Sequence, residues 1–335
     1  MSALELPEIG VRLSGALDPH CSIELATAAD GTGFASVWFA ENPFQRGIMA
    51  TVGACAAATR RARIGIGVIN PYSRHPVQIA MDIAALDELS SGRVVLGLGS
   101  GIAGGMRQMG FDPGRPVAAV SEAIAIIRAM LGGEAVKFNG RVFSVDGVRL
   151  DFPARQLPIY MAAGSERALR VCGMVADGLI ISNMTPPRLT ERLTEIVVEA
   201  ATVAGKEKPR VVQYVPCAIG ADNEAARRIA ITMIGEALTL LWPIGDEWPQ
   251  RREAAVEATG VPRHEFRAAL DRLRLGEAAA DVLDDRFVDA FALAGTAEEC
   301  LRQAARYHRA GVDELALTFA GAEPVEQMTH LAKAL

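Results

Sequence analysis

The chain has 335 residues, half of them hydrophobic, a net charge of −6 and an isoelectric point near 5.5. That balance, with no basic run able to follow a phosphate backbone, argues against a nucleic-acid partner. No apolar stretch reaches the ~18 residues of a membrane span, and none in the acidic opening segment has signal-peptide length, so a cytoplasmic protein is expected.

Strand-like and helix-like segments alternate along the chain. Val11–Leu13 is short and apolar, His20–Gly31 is amphipathic, and Ser36–Phe39 is a second strand. Gly47–Thr59 is an Ala-rich helix. Ile64–Val68 is a β-branched strand thinned by Gly65 and Gly67. Pro76–Leu89 reads as a helix with proline at its start, Val94–Gly99 as a fourth strand, and Pro116–Leu131 as a strongly periodic helix. The rhythm breaks at Val136–Leu150, where alternation with Asn-Gly and Asp-Gly pairs signals a β-hairpin. Strands then recur at Ile159–Ala162, Gly178–Ile181 and Arg210–Ile219, each followed by a helix (Glu166–Ala176, Pro187–Ala204, Asn223–Leu241). A charged, irregular block, Trp242–Phe291, carries short helix-like pieces, with Trp242 and Trp248 near Pro243 and Pro249. Glu298–Ala310, Glu314–Thr318 and Glu323–Leu335 end the chain as helix, strand and helix.

Alternating strands and helices imply a parallel sheet, and eight units in one chain imply an α/β protein with a closed TIM-like (β/α)8 barrel, 1–335 forming one domain. An open doubly wound sheet is the alternative. The hairpin near 136–150 and the helical block near 242–291 are insertions, the latter a candidate substrate lid because long insertions at strand ends carry specificity. A surface appendage is the plainer reading of that block.

Barrel chemistry sits where strands end. Glu41 and Asn42 follow strand two, with helix capping as the alternative for Asn42. The loop Asn70-Pro71-Tyr72-Ser73-Arg74-His75-Pro76 follows strand three, with His75 equally explained by loop hydrogen bonding. Gly99-Ser100-Gly101-Ile102-Ala103-Gly104-Gly105 follows strand four. That glycine density suits a planar ligand or phosphate against backbone N–H groups, although no Gly-Lys-Ser/Thr makes it a P-loop and no clean GxGxxG opens a helix. Ala163-Gly164-Ser165 leads into a helix whose free N–H groups and dipole favour an anion; a plain Ser165 N-cap is the alternative. Gly65 and Gly67 mark either a close ligand approach or crowding inside the sheet. The five cysteines (Cys21, Cys55, Cys172, Cys217, Cys300) have no zinc spacing, and their odd number suits a reducing compartment. No nucleophile set and no metal-binding motif is visible. Such a rim points to an organic cofactor that supplies the chemistry.

The segments SVWFAENPFQRG (36–47), IGIGVINPYSRHP (64–76), ALDELSSGRVVLGLGSG (85–101), AVSEAIAIIRAMLGGE (119–134) and PIYMAAGSERALRVCGMVADGLIISN (158–183) resemble the bacterial-luciferase-like superfamily. Within it they are similar to the deazaflavin-dependent branch related to methylenetetrahydromethanopterin reductase. The resemblance implies coenzyme F420, with FMN as the alternative, bound at the strand carboxyl ends of a TIM-like barrel. It implies a cis peptide at Gly67–Val68 backing the ring, Gly67, Val68, Asn70, Gly99, Ser100 and Gly101 around it, and Ala163, Gly164 and Ser165 on the cofactor phosphate. Glu41 and Asn42 fall at its catalytic positions, with Asn42 where many members have His. No acid precedes Asp112 after the strand-four glycines, unlike members acting on sugar phosphates. Hydride transfer with a small or pterin-like substrate, in a homodimer, is the implied activity. An FMN-dependent monooxygenase and an inactive cofactor-binding barrel are the alternatives.

Overall fold

The computed structural model describes residues 4–242 and 249–335; Pro243 and Trp248 lie outside the described residues. β1 (Glu8–Ser14) leads into α1 (Pro19–Thr32), β2 (Ser36–Ala40) into α2 (Ile48–Ala58), and β3 (Arg63–Ile69) into α3 (Pro76–Leu89). β4 (Val94–Leu98) is followed by a short α4 (Ala103–Gln108) and a long α5 (Pro116–Leu131). The hairpin strands β5 (Val136–Asn139) and β6 (Ser144–Val148) come next, then β7 (Ile159–Ala162), α6 (Glu166–Val175), β8 (Gly178–Ile181), α7 (Pro187–Val203), β9 (Arg210–Ile219) and α8 (Asn223–Leu241). The helices α9 (Pro249–Thr259), α10 (Arg263–Arg274), α11 (Ala279–Val282) and α12 (Asp285–Phe291) precede β10 (Leu293–Gly295), α13 (Ala297–Arg309), β11 (Glu314–Phe319) and α14 (Pro324–Ala334).

Parallel strands in the order β1-β2-β3-β4-β7-β8-β9-β11 close into a barrel, because β11 pairs back with β1 and β8 with β9. The expected (β/α)8 architecture is therefore present. β10 is an addition: β9 pairs with β8 through Arg210–Gln213 and with β10 through Cys217–Ile219. Three residues are too few for a periodic signal, so Leu293–Gly295 was not legible as a strand. The hairpin forms where expected, but its Asp-Gly pair does not turn it. Val136 faces Val148 and Phe138 faces Val145, so one extra residue bulges on β6, where Gly147 adopts φ +69°.

Alternation along the strands separates two cores. Outward residues such as Val11, Phe39, Ile64, Ile66, Leu96 and Leu98 pack under the helices. Inward residues Trp38, Val95, Tyr160, Ile180, Val212, Tyr214 and Ala316 fill the barrel. Gly65 and Gly67 belong to this filling. A Cβ on Gly65 would meet the Trp38 ring at 2.3 Å, and one on Gly67 would meet the Tyr214 hydroxyl at 1.8 Å. Crowding by aromatic neighbours thus accounts for both glycines.

The barrel interior changes character along its axis. At the amino end of the strands, buried Glu314 accepts from the Trp38 indole at 2.7 Å and pairs with Arg63 at 2.6 Å and Arg210 at 3.3 Å. Ser36 also donates to it, and Glu8 bridges the same two arginines. This network closes the lower mouth. Above it lies a buried aromatic layer in which Trp38 stacks on Tyr160 with ring centroids 6.0 Å apart. At the carboxyl ends the inward residues Arg12, Ser14, Val68, Ala162 and Thr318 are only half-buried. The upper mouth is open.

Candidate functional site

The open mouth is shaped by β3 and β4. The Gly67–Val68 peptide is cis, as the resemblance implied. Pairing between β3 and β4 slips by one residue between Gly67 and Ile69, so Gly67 and Val68 both face inward while Ile69 returns to the outer core. Val68 stands over Gly99, where a Cβ would lie 2.7 Å from the Val68 side chain and 3.4 Å from Ala162. Val68, Gly99 and Ala162 therefore make one shallow apolar wall. Tyr214 braces it from below, its hydroxyl donating to the Gly67 carbonyl at 3.1 Å.

Asn70 is buried, and its side-chain oxygen accepts from the Tyr72 amide at 2.9 Å. Its amide nitrogen is directed at the Met106 sulfur and lies where a Cβ on Gly101 would be, at 2.3 Å. Gly101, with φ +69°, is thus required twice, by its backbone and by Asn70. Ser100 sits half-buried beside them. The expected glycine loop is shorter than it looked: Gly104 and Gly105 lie inside α4, and Gly105 makes room for Pro43.

At the end of β7, Ser165 caps α6, accepting from the Ala168 amide at 3.3 Å. The Ala163 side chain is buried in the outer core, so any contact it makes with a ligand falls to its backbone. Gly164 is covered by a residue from the inserted block. Arg251 of α9 lies against it, within 2.2 Å of where a Cβ would stand, and donates to the Ser182 hydroxyl at 3.2 Å and the Thr185 hydroxyl at 3.4 Å. Among the described residues no carboxylate pairs with Arg251, and burial pulls its pKa down. A cation against the positive end of a helix is unfavourable unless an anion joins them.

Two expected residues are engaged with neighbours on the rim. Glu41 pairs with Arg74 at 3.7 Å, and Asn42 donates to Gln45 at 3.0 Å. His75 caps α3, its Nδ1 accepting from the Val77 amide at 3.2 Å. The structure thus brings Gly67, Val68, Asn70, Gly99, Ser100 and Gly101 into one cluster, places Gly164 and Ser165 across Ala162 from it, and leaves Glu41 and Asn42 on the rim. Sequence reasoning missed Arg12, Tyr214 and Arg251. An arginine between Val11 and Leu13 on an otherwise apolar strand was the readable signal for the first. Tyr214 sat mid-strand in a largely apolar run, beside Gln213 and away from the strand end, and Arg251 in a block with no pattern. Among the described residues no His, Cys, Asp and Glu cluster could hold a metal ion, and no helix is long and apolar enough to cross a membrane.

A closed parallel barrel with half-exposed inward residues at its strand carboxyl ends belongs to a barrel architecture that hosts enzymes. A family model described as luciferase-like monooxygenase matches residues 4–314, and the chain belongs to that family. The 5,10-methylenetetrahydromethanopterin reductase of Methanolobus tindarius is 29% identical over 84% of this chain and 85% of its own length. An F420-dependent glucose-6-phosphate dehydrogenase of Beutenbergia cavernae is 32% identical over 63% of this chain and 66% of its own. The solved coenzyme F420-dependent tetrahydromethanopterin reductase of Methanopyrus kandleri superposes with a TM-score of 0.87 at 21% identity, covering 98% of both chains.

Proposed function

We propose that the chain is a coenzyme F420-dependent oxidoreductase that moves a hydride between the deazaflavin and a small or pterin-like substrate. The observation that carries this reading is the pairing of an apolar wall with an anion cradle at one barrel mouth. Val68, Gly99 and Ala162 form a surface a planar ring can lie on, and the α6 amino end with Arg251 offers positive charge for a phosphate. The donor set fits a planar cofactor with a phosphate tail. The names of the relatives support the same assignment.

Bound F420 supplies a ring carbon that accepts or gives a hydride. The chain's part is positioning. Val68, held by the Tyr214–Gly67 contact, backs the ring. Ser165, Gly164 and Arg251 hold the phosphate. Proton movement to or from the substrate we assign to Glu41, with Asn42 beside it on the rim, where its carboxylate pairs with Arg74. The helical block 249–291, through Arg251, acts as a lid. A dimer is the assembly we propose, on the common two-fold habit of enzymes, and a reducing compartment suits the free thiols.

The family's description favours one second reading, an FMN-dependent monooxygenase. Titrating the purified protein side by side with F420 and FMN, read by their fluorescence, separates the two. Tight F420 and weak FMN binding is expected. The reverse would select the monooxygenase, and binding of neither would remove both. Light scattering tests the dimer.

A further inference from the structure

Arg12 is the unusual residue in the barrel. It points inward from β1 at the level of the open mouth, beside the Gly67–Tyr214 brace. Its guanidinium lies 5.0 Å from the centroid of the Tyr214 ring, and one nitrogen donates to the Thr318 hydroxyl at 3.4 Å. Its Nε is buried with no hydrogen-bond partner. Among the described residues no carboxylate pairs with it, whereas Arg63 and Arg210, also inward-facing, share Glu314 and Glu8 at the opposite mouth. Burial pulls the Arg12 pKa down, with the Tyr214 neighbour acting against that pull. The ring contact offsets only part of the cost of desolvating a guanidinium. A cation kept without a counter-ion where solvent reaches the barrel is a group arranged for an incoming anion.

We propose that Arg12, with Thr318, binds an anionic group of the substrate, and that this group is a carboxylate. The inference rests on the oxidoreductase reading and narrows its substrate class. A planar guanidinium with one neighbouring hydroxyl matches a carboxylate fork. A second anion cradle, at α6 and Arg251, lies on the other side of Ala162 and is left for the cofactor phosphate.

The test is calorimetric titration of the full-length protein, with and without F420, using benzoate and acetate against their neutral amides, benzamide and acetamide. Wild-type protein should bind each acid at least tenfold more tightly than its amide, about 1.4 kcal/mol. Arg12→Met should abolish that preference, Arg12→Lys should keep part of it, and Thr318→Val should weaken acid binding several-fold. All variants should keep the wild-type F420 affinity. Equal binding of acid and amide by the wild type, or an acid preference that survives Arg12→Met, would overturn the proposal. So would a selective loss of reduced-F420 binding in Arg12→Met, which would assign the cation to the cofactor. Failure of the cofactor reading appears separately, as absence of F420 binding by the wild type, while the acid–amide comparison remains readable.

Discussion

Replacing Gly67 by alanine probes the brace beneath the proposed ring site. The added Cβ would stand 1.8 Å from the Tyr214 hydroxyl oxygen and 3.1 Å from both Tyr214 Cζ and Trp38 Cε3. Trp38 is 1% exposed and Tyr214 5%, so neither ring has free space to retreat into. Overpacking of this kind costs about 1–3 kcal/mol. The displaced hydroxyl also loses its bond to the Gly67 carbonyl, leaving buried polar groups unpaired for a further ~1–3 kcal/mol. Gly67→Ala should therefore destabilise by about 2–6 kcal/mol. Tyr214→Phe removes the same hydroxyl and should cost about 1–2 kcal/mol by itself. In the double variant the worst contact no longer exists, so its penalty should fall short of the sum of the two single penalties by at least ~1 kcal/mol. Urea unfolding of the four proteins, followed by circular dichroism, measures the cycle. Strict additivity would refute the view that the missing side chain of Gly67 seats the Tyr214 hydroxyl.

Other consequences can be read from the same contacts. Glu314→Gln removes the buried charge but leaves Arg63 and Arg210 paired with Glu8, so it should cost about 1–3 kcal/mol in the same unfolding assay; no measurable loss would contradict the buried network. Burial pushes the Glu8 carboxyl upward, but Arg63 and Arg210 hold it below its ordinary 4.5. Its contribution is present above about pH 4.5 and is lost as pH falls through the lower native value, so the stability gap between wild type and Glu8→Gln should close in acid. Arg251→Gln should weaken F420 binding roughly tenfold while leaving the affinity for a deazaflavin lacking the phosphate unchanged, a difference of about 1.4 kcal/mol. Burial pushes the Cys55 and Cys172 thiols up to about 12. At pH 8 only the half-buried Cys21 should react rapidly with a thiol reagent, and prompt modification of Cys55 or Cys172 would be inconsistent with their packing.

The barrel was legible because its strands and helices alternate with different periods, and because the β-branched strands are buried on both sides. The site was legible in part. Strand-end glycines marked the right places, but for mixed reasons. Gly99 and Gly101 make room for Val68 and Asn70 at the mouth, whereas Gly65 makes room for Trp38 well below it. A glycine states that something comes close, not what does. The anion cradle was half visible: Ser165 and the α6 amino end follow from local sequence, but Arg251 arrives from about 85 residues away along the chain through tertiary packing that no local pattern encodes. Arg12 carried its signal in plain sight, as a cation between Val11 and Leu13 that, unlike the inward Arg63 and Arg210, has no carboxylate partner among the described residues. A lone arginine on a strand usually reaches solvent, so the residue type alone does not mark a site.

The most direct test is a crystal structure of the protein with F420 bound. We expect the deazaflavin ring against Val68, between Gly99 and Ala162, with the phosphate at Gly164, Ser165 and Arg251. A ring bound outside the barrel mouth, or a phosphate held away from the α6 amino end, would contradict the proposed site.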